Sequence, residues 1–256
     1  MCNICDTENL TGKSVNQFNR RSLITMAAVG TAATFLPEKL FAKTKKKDNE
    51  SVSSNVPKPL NILSPEQALE RLLEGNQRYI KGYSKRHDFI AEREILIQGQ
   101  NPYAGILSCA DSRISPEYAF DSGRGDLFVA RVAGNFANPN NIASFEYAVE
   151  VLKTPLLMVL GHDNCGAIKA TISAVKDSIM YPGHIPTLIE SLSPAVKAAS
   201  NLSGDLLYNS TRENVKQNVE ILKNSGPILS VALKEKKLKI IGAIYRLKTG
   251  EIELVS

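Results

Sequence analysis

Two short blocks of the sequence carry side chains that can bind a metal ion and do chemistry. They read C-A-D-S-R and, further along the chain, G-H-D-N-C-G. Their two thiols and one imidazole, from Cys109, His162 and Cys165, are the ligand types of catalytic zinc sites, which leave a fourth position to water or substrate. A carboxylate and a guanidinium follow the first thiol closely, at Asp111 and Arg113. This composition indicates a site that does chemistry and not only one that holds the fold together.

The residues before each block predict the elements that position it. Three runs are almost continuously apolar, at 103–108, 127–132 and 156–161, which is typical of strands buried on both faces of a parallel sheet. Cys109 and His162 each fall where a run stops. That is the carboxyl edge at which open parallel sheets hold their ligands. The strands that end at these two residues are therefore predicted to be neighbours.

The second block leads into a helix predicted over residues 165–176. One helical turn separates His162 from Cys165, so both side chains can reach a single ion, and Gly166 lets the backbone come close to whatever binds there. Each ligand candidate alone is better explained as a buried thiol or a core histidine, but the three together predict zinc. Asp111 then has two alternative roles: a fourth ligand that closes the site, or a partner of Arg113 that leaves it open.

The remaining patterns predict an α/β fold. We expect a mainly parallel central sheet flanked by helices with right-handed crossovers, an N-terminal helical arm and a C-terminal strand pair. Helical spacing and capping signals place the helices, and apolar runs around a turn place the last strands. The predicted elements are a helix starting at Ser64, helices within 142–153 and 211–237 with a break at Gly226-Pro227, and strands at 239–245 and 252–255.

The N-terminal segment, residues 1–42, is predicted to be an export signal. Arg20 and Arg21 precede the charge-free apolar stretch 23–36, and the predicted cleavage site lies at 40–42. The arrangement resembles a twin-arginine signal and implies a periplasmic protein. Because a transmembrane helix needs about 20 apolar residues, no stable membrane span is expected after cleavage. An uncleaved membrane anchor and a plain amphipathic helix are the alternatives.

Composition bounds the rest of the chain. Residues 43–60 are polar and read as a linker, and residues 61–256 are predicted to be one catalytic domain. With 256 residues, 43% of them hydrophobic and 22% charged, the chain can bury a sizeable core. The net charge of +5 lies partly in the lysine run of the linker. No basic face is evident within the domain, so nucleic-acid binding is not expected.

The pattern C-x-D-S-R followed by H-x-x-C resembles the β-class carbonic anhydrases, from about Glu74 to the C-terminus. The resemblance implies one zinc ion per subunit and the reversible hydration of carbon dioxide to bicarbonate and a proton. It also implies that zinc-bound hydroxide is the nucleophile and that Asp111, paired with Arg113, accepts a hydrogen bond from it. A homodimer or homotetramer is implied as well, with the N-terminal helices against the partner subunit.

Other positions match the family one at a time. Gln100 lies where the family has a glutamine that donates to the substrate oxygen. Phe128 and Tyr147 lie where the adjacent subunit lines the pocket, although core packing explains these two aromatic residues equally well. Some members hold a regulatory bicarbonate pocket around a tryptophan. This chain has Ile106 there, so that pocket is not carried over, even though Arg131 matches its arginine.

Three rival functions remain open at this stage. The same site could hydrolyse a related linear substrate, carbon disulfide or carbonyl sulfide. A non-catalytic protein stabilised by zinc would use Asp111 as its permanent fourth ligand. A thiol redox enzyme is the weakest rival, because Cys109 and Cys165 do not form a C-x-x-C pair.

Overall fold

The structure, a computed structural model, describes residues 62–255. The predicted signal (1–42), the predicted linker (43–60) and the first residue of the predicted domain lie outside that range. The helices are α1 (Pro65–Ile80), α2 (Phe89–Leu96), α3 (Pro116–Ala119), α4 (Pro139–Glu150), α5 (Gly166–Asp177), α6 (Ile185–Ala199), α7 (Leu206–Asn224) and α8 (Ile228–Lys234). The strands are β1 (Ala104–Ser108), β2 (Leu127–Arg131), β3 (Leu156–His162), β4 (Lys239–Tyr245) and β5 (Ile252–Val255).

The five strands form one sheet in the order β2-β1-β3-β4-β5. The first four are parallel to their neighbours, and β5 runs antiparallel to β4. The predicted α/β class, the C-terminal strand pair and the adjacency of β1 and β3 are thus confirmed. No helix within residues 62–255 is both long and apolar enough to cross a membrane.

Side chains alternate between the two faces of the sheet, as the period of a strand requires. Ile106 and Met158 lie in a cluster with Leu72 of α1 on one face. Leu107 and Val159, each one residue further along the same strands, lie on the other face in a cluster with α4, α7 and α8. Because both faces are covered, the apolar runs of β1 and β3 are continuous, as expected for parallel strands.

The prediction was wrong for β2, which is not buried on both faces. This strand lies at the edge of the sheet, pairs only with β1, and is half-buried from Leu127 to Ala130 with Arg131 exposed. Its apolar sequence therefore does not come from burial within one chain. Three helices, α2, α3 and α6, were also missed. One of them, α6, contains Pro194 in its interior, and such a proline normally ends a helix.

Helix α7 packs directly against two strand positions that lack a side chain. A Cβ atom at Gly242 of β4 would lie 2.5 Å from Cγ1 of Val215, and one at Gly161 of β3 would lie 2.7 Å from Cγ2 of the same residue. Val215 is fully buried. It therefore occupies the space that these two side chains would need, and it fixes the distance between α7 and the sheet.

The close contact predicts that Gly242→Ala lowers the free energy of unfolding by about 1–3 kcal/mol, through overpacking against Val215. Val215→Ala alone should cost about 2 kcal/mol or more, because it leaves a cavity. The double variant should be more stable than the sum of the two losses predicts, because the smaller side chain makes room for the new methyl group. Urea denaturation of all four proteins measures this coupling. Additive losses would contradict the proposed contact.

Candidate metal centre

Three elements bring Cys109, His162 and Cys165 together. Cys109 follows β1, His162 is the last residue of β3, and Cys165 is the N-cap of α5. All three side chains are buried, and their Sγ, imidazole nitrogen and Sγ atoms lie within 4.8 Å of one another. Tetrahedral zinc with bonds of about 2.0–2.3 Å holds its ligand atoms at this kind of separation. The spacing therefore fits one ion.

The imidazole of His162 is oriented to present Nε2 to an ion. Its Nδ1 lies 2.8 Å from the carbonyl oxygen of Asp163. Because a carbonyl only accepts, Nδ1 carries the proton and donates it, which leaves the lone pair on Nε2. Nε2 is buried and has no hydrogen-bond partner among residues 62–255. A buried acceptor without a partner is costly, and a metal ion would satisfy it.

The two thiols are free and share one environment. The hydrogen bond from Cys165 is the main cause that lowers the pKa of Cys109, and the hydrogen bond from the Gly134 amide acts in the same direction, whereas burial opposes both. The same hydrogen bond, together with burial, raises the pKa of Cys165. The shared hydrogen bond therefore favours the thiolate form of Cys109 over that of Cys165. A dication between the sulfur atoms favours the thiolate form of both.

Asp111 is held by Arg113 in a two-pronged ion pair. Nε of Arg113 donates to Oδ1 at 2.9 Å and Nη2 donates to Oδ2 at 2.7 Å, while the backbone amide of Arg113 also donates to Oδ1 at 2.9 Å. These bonds keep the pKa of Asp111 well below its usual range. Oδ2 lies 3.9 Å from Nε2 of His162. An ionised carboxylate is thus fixed beside the ligand atoms while both its oxygens are engaged by the arginine.

Two supporting groups were missed in the sequence. Arg131, at the end of β2, donates to three carbonyl oxygens of the loop after β1: Cys109 at 3.0 Å, Asp111 at 2.7 Å and Ile114 at 2.9 Å. The backbone amide of Gly134 donates to Sγ of Cys109 at 3.2 Å. The sequence assigned neither group a role at the metal centre: Arg131 was noted only as a match to a family arginine, and Gly134 lies three residues after the end of β2.

Apolar side chains enclose the thiols. Cys109 and Cys165 lie in one cluster with Phe136, Ile168 and Leu192. All five are buried in the single chain. Such walls lower the local dielectric and strengthen charge interactions within the site.

Gly166 is the first residue of α5, directly after Cys165. A Cβ atom built there would meet no described atom within 4 Å. The space beside this glycine is therefore open within residues 62–255.

Gln100, Phe128 and Tyr147 are not brought to the thiols within one chain. Gln100 is exposed and precedes β1, whereas Cys109 follows it, and a strand of this length spans about 16 Å. Phe128 pairs with Gly105, near the same far end of β1. Tyr147 contacts Phe128, with ring centroids 6.3 Å apart, and is 48% exposed.

Comparison with known proteins gives a consistent result. A family profile described as carbonic anhydrase matches residues 104–252. Carbonic anhydrase 2 of Mycobacterium tuberculosis is 35% identical over 192 residues, which cover 75% of this chain and 93% of the relative. The carbonic anhydrase of Synechococcus elongatus is 33% identical over 198 residues, covering 73% and 72%. Among solved structures, the β-carbonic anhydrase CcaA has a TM-score of 0.56 at 29% identity, covering 73% of this chain and 95% of its own.

The geometry predicts that Cys109→Ala, His162→Ala and Cys165→Ala each reduce bound zinc from about one ion per chain to near zero, because a site with three protein ligands loses its hold when one is removed. His184→Ala, at an exposed position before α6, is the control and should retain zinc. Elemental analysis of the purified proteins measures the content. Full occupancy in any of the three variants would show that its side chain is not a ligand.

Proposed function

The chain belongs to the carbonic anhydrase family, and from this premise we propose that it is a β-class carbonic anhydrase. The reaction is the reversible hydration of carbon dioxide to bicarbonate and a proton, with one zinc ion per chain. The observation that carries the proposal is the buried group of Cys109, His162 and Cys165 with an ionised carboxylate fixed beside it. A site that only stabilised the fold would have no use for that second charged pair.

Cys109, His162 and Cys165 hold the zinc ion in this proposal. Their free thiols and the unpartnered Nε2 are the donors that zinc prefers. When bound, zinc supplies a Lewis acid that lowers the pKa of a water molecule enough for hydroxide to form near neutral pH. The hydrogen bond between Nδ1 of His162 and the carbonyl of Asp163 keeps the imidazole in the ligating tautomer.

Asp111 orients the nucleophile. Because Arg113 keeps the carboxylate ionised, it can accept a hydrogen bond but cannot donate one. It therefore selects an oxygen that carries a proton and turns a lone pair of the attacking hydroxide toward the carbon of carbon dioxide. With zinc bound, the new carbon–oxygen bond would form as one pair of π electrons moves onto a substrate oxygen to give bicarbonate, and the proton lost by the water molecule would pass to solvent.

The substrate pocket is proposed to be completed by a second copy of the chain in a homodimer or homotetramer. Gln100, Phe128 and Tyr147 lie away from the thiols of their own chain, so any contact they make with a metal centre would have to be with that of a partner chain. The outer edge of β2 is unpaired within residues 62–255, and β2 itself is apolar and half-buried from Leu127 to Ala130. An apolar edge of this kind is suited to a subunit interface.

Carbon dioxide hydration by the zinc-loaded protein, followed by stopped flow with a pH indicator, tests the proposal.

Asp111→Asn should keep its zinc and lose about two orders of magnitude in the rate of hydration, because an amide can turn its N–H donor toward the nucleophile. Asp177→Asn, at the exposed end of α5, is the control with the same chemical change. If the zinc-loaded wild-type protein hydrolyses carbon disulfide or carbonyl sulfide and does not hydrate carbon dioxide, the assignment of carbon dioxide as the substrate is wrong. Loss of zinc from Asp111→Asn would favour a structural site.

We further propose that the protein is exported to the periplasm through its N-terminal twin-arginine-type segment. The buried thiols support this route, since Cys109 and Cys165 are close enough to be at risk of oxidation before metal binds. A twin-arginine pathway carries proteins that are already folded. Zinc could then be bound in the reducing cytoplasm and protect both thiolates during and after export.

Replacing both Arg20 and Arg21 by lysine should leave the protein in the cytoplasm, folded and active, because the signal and the zinc domain are separate segments. Cell fractionation with an activity assay on each fraction measures the outcome. Lys45→Arg with Lys46→Arg, in the polar linker, is the control and should still be exported. Continued export of the Arg20, Arg21 variant would contradict the proposed signal.

A further inference from the structure

Two buried asparagines on α7 have no role in the reaction as proposed. Asn214 and Asn218 are 1% and 4% exposed, and they are one helical turn apart on the same face of the helix. Nδ2 of Asn218 donates to Oδ1 of Asn214 at 3.0 Å and to its carbonyl oxygen at 2.8 Å. Burying two amides is costly unless their polar atoms are satisfied, so these side chains form a connected polar pair.

The asparagine pair holds the loop between β2 and α4. Nδ2 of Asn214 donates to the carbonyl oxygen of Gly134 at 2.8 Å, and Oδ1 of Asn218 accepts from the backbone amide of Ala137 at 2.7 Å. Both bonds connect residues 80 or more positions apart in the sequence. The loop is thus fixed at two points by one helix.

Gly134 is the point at which this loop contacts the metal centre. Its φ of +87° lies in the left-handed region, which favours glycine, and a Cβ atom there would lie 2.7 Å from Cδ1 of Leu192. In this conformation its amide donates to Sγ of Cys109 at 3.2 Å while its carbonyl accepts from Asn214. Gly134 therefore connects the two: Asn214 of α7 fixes its carbonyl group, and its amide group binds the sulfur of Cys109.

We propose that Asn214 and Asn218 are positioning residues for the metal centre, setting the hydrogen bond from Gly134 to the Cys109 thiolate. The inference rests on the proposed zinc enzyme. An N–H donor withdraws electron density from a thiolate. A weaker hydrogen bond from Gly134 would therefore make the sulfur a stronger electron donor to the ion. It would also position the sulfur less well as a ligand. Helix α7 is suited to this role, because Val215, next to Asn214, is locked against Gly161 and Gly242 of the sheet.

Cobalt(II) substitution tests this proposal, because the sulfur-to-cobalt charge-transfer band reports the electron density on the thiolates. Asn214→Leu should move the band to lower energy and weaken zinc binding by about 10-fold or more, measured by competition with a chelator. Asn218→Leu should change the band energy and the zinc affinity in the same direction but by less, because Asn218 lies one hydrogen bond further from the sulfur than Asn214 does. Asn224→Ala, exposed on the same helix, is the control and should change neither.

The outcomes distinguish failure of the asparagine proposal from failure of the proposed zinc function. If both asparagine variants lower the melting temperature of the metal-free protein and leave the band and the zinc affinity unchanged, the pair only stabilises the fold and the proposal is wrong. Loss of folding in both variants would overturn it as well, because the asparagines would then serve the whole domain. If the wild-type protein binds neither zinc nor cobalt, the proposed metal function itself fails.

Discussion

The parallel pairing of β1 with β3 is the constraint on which the metal centre depends. Ser108 lies opposite Leu160 in this pair, so the residues that follow leave the sheet side by side at one edge. Cys109 and His162 meet for that reason, and the short turn after His162 brings Cys165 to the same place. The apolar clusters on both faces of the sheet hold the pairing, and they are therefore part of what keeps the ligands together.

Charge balance explains how so many ionisable groups can lie at one partly enclosed site. Two thiolates neutralise a zinc dication, and a neutral imidazole adds no charge. Asp111 and Arg113 neutralise each other through paired hydrogen bonds. No net charge then has to be taken out of water, which limits the desolvation penalty that isolated buried charges would bring.

The sequence predicted the parts of the site that depend on local order. Cys109 and His162 end apolar runs, and Cys165 begins a helix, so periodicity alone could place them. The edge position of β2 was not predictable in this way, because an apolar run looks the same whether a strand of the same chain or another surface covers it. The contacts of Arg131 and of Asn214 were also out of reach. They connect residues far apart in the sequence, and they exist only once the helices have packed on the sheet.

The open space at Gly166 sets this residue apart from the other glycines near the site. A side chain at Gly134, Gly161 or Gly242 would collide with its neighbours, whereas one at Gly166 would meet no described atom nearby. The size of the side chain at position 166 is thus not limited by packing against the described residues, although the position directly follows the metal ligand Cys165. The fold therefore lets a larger residue stand directly beside a metal ligand without displacing any described side chain.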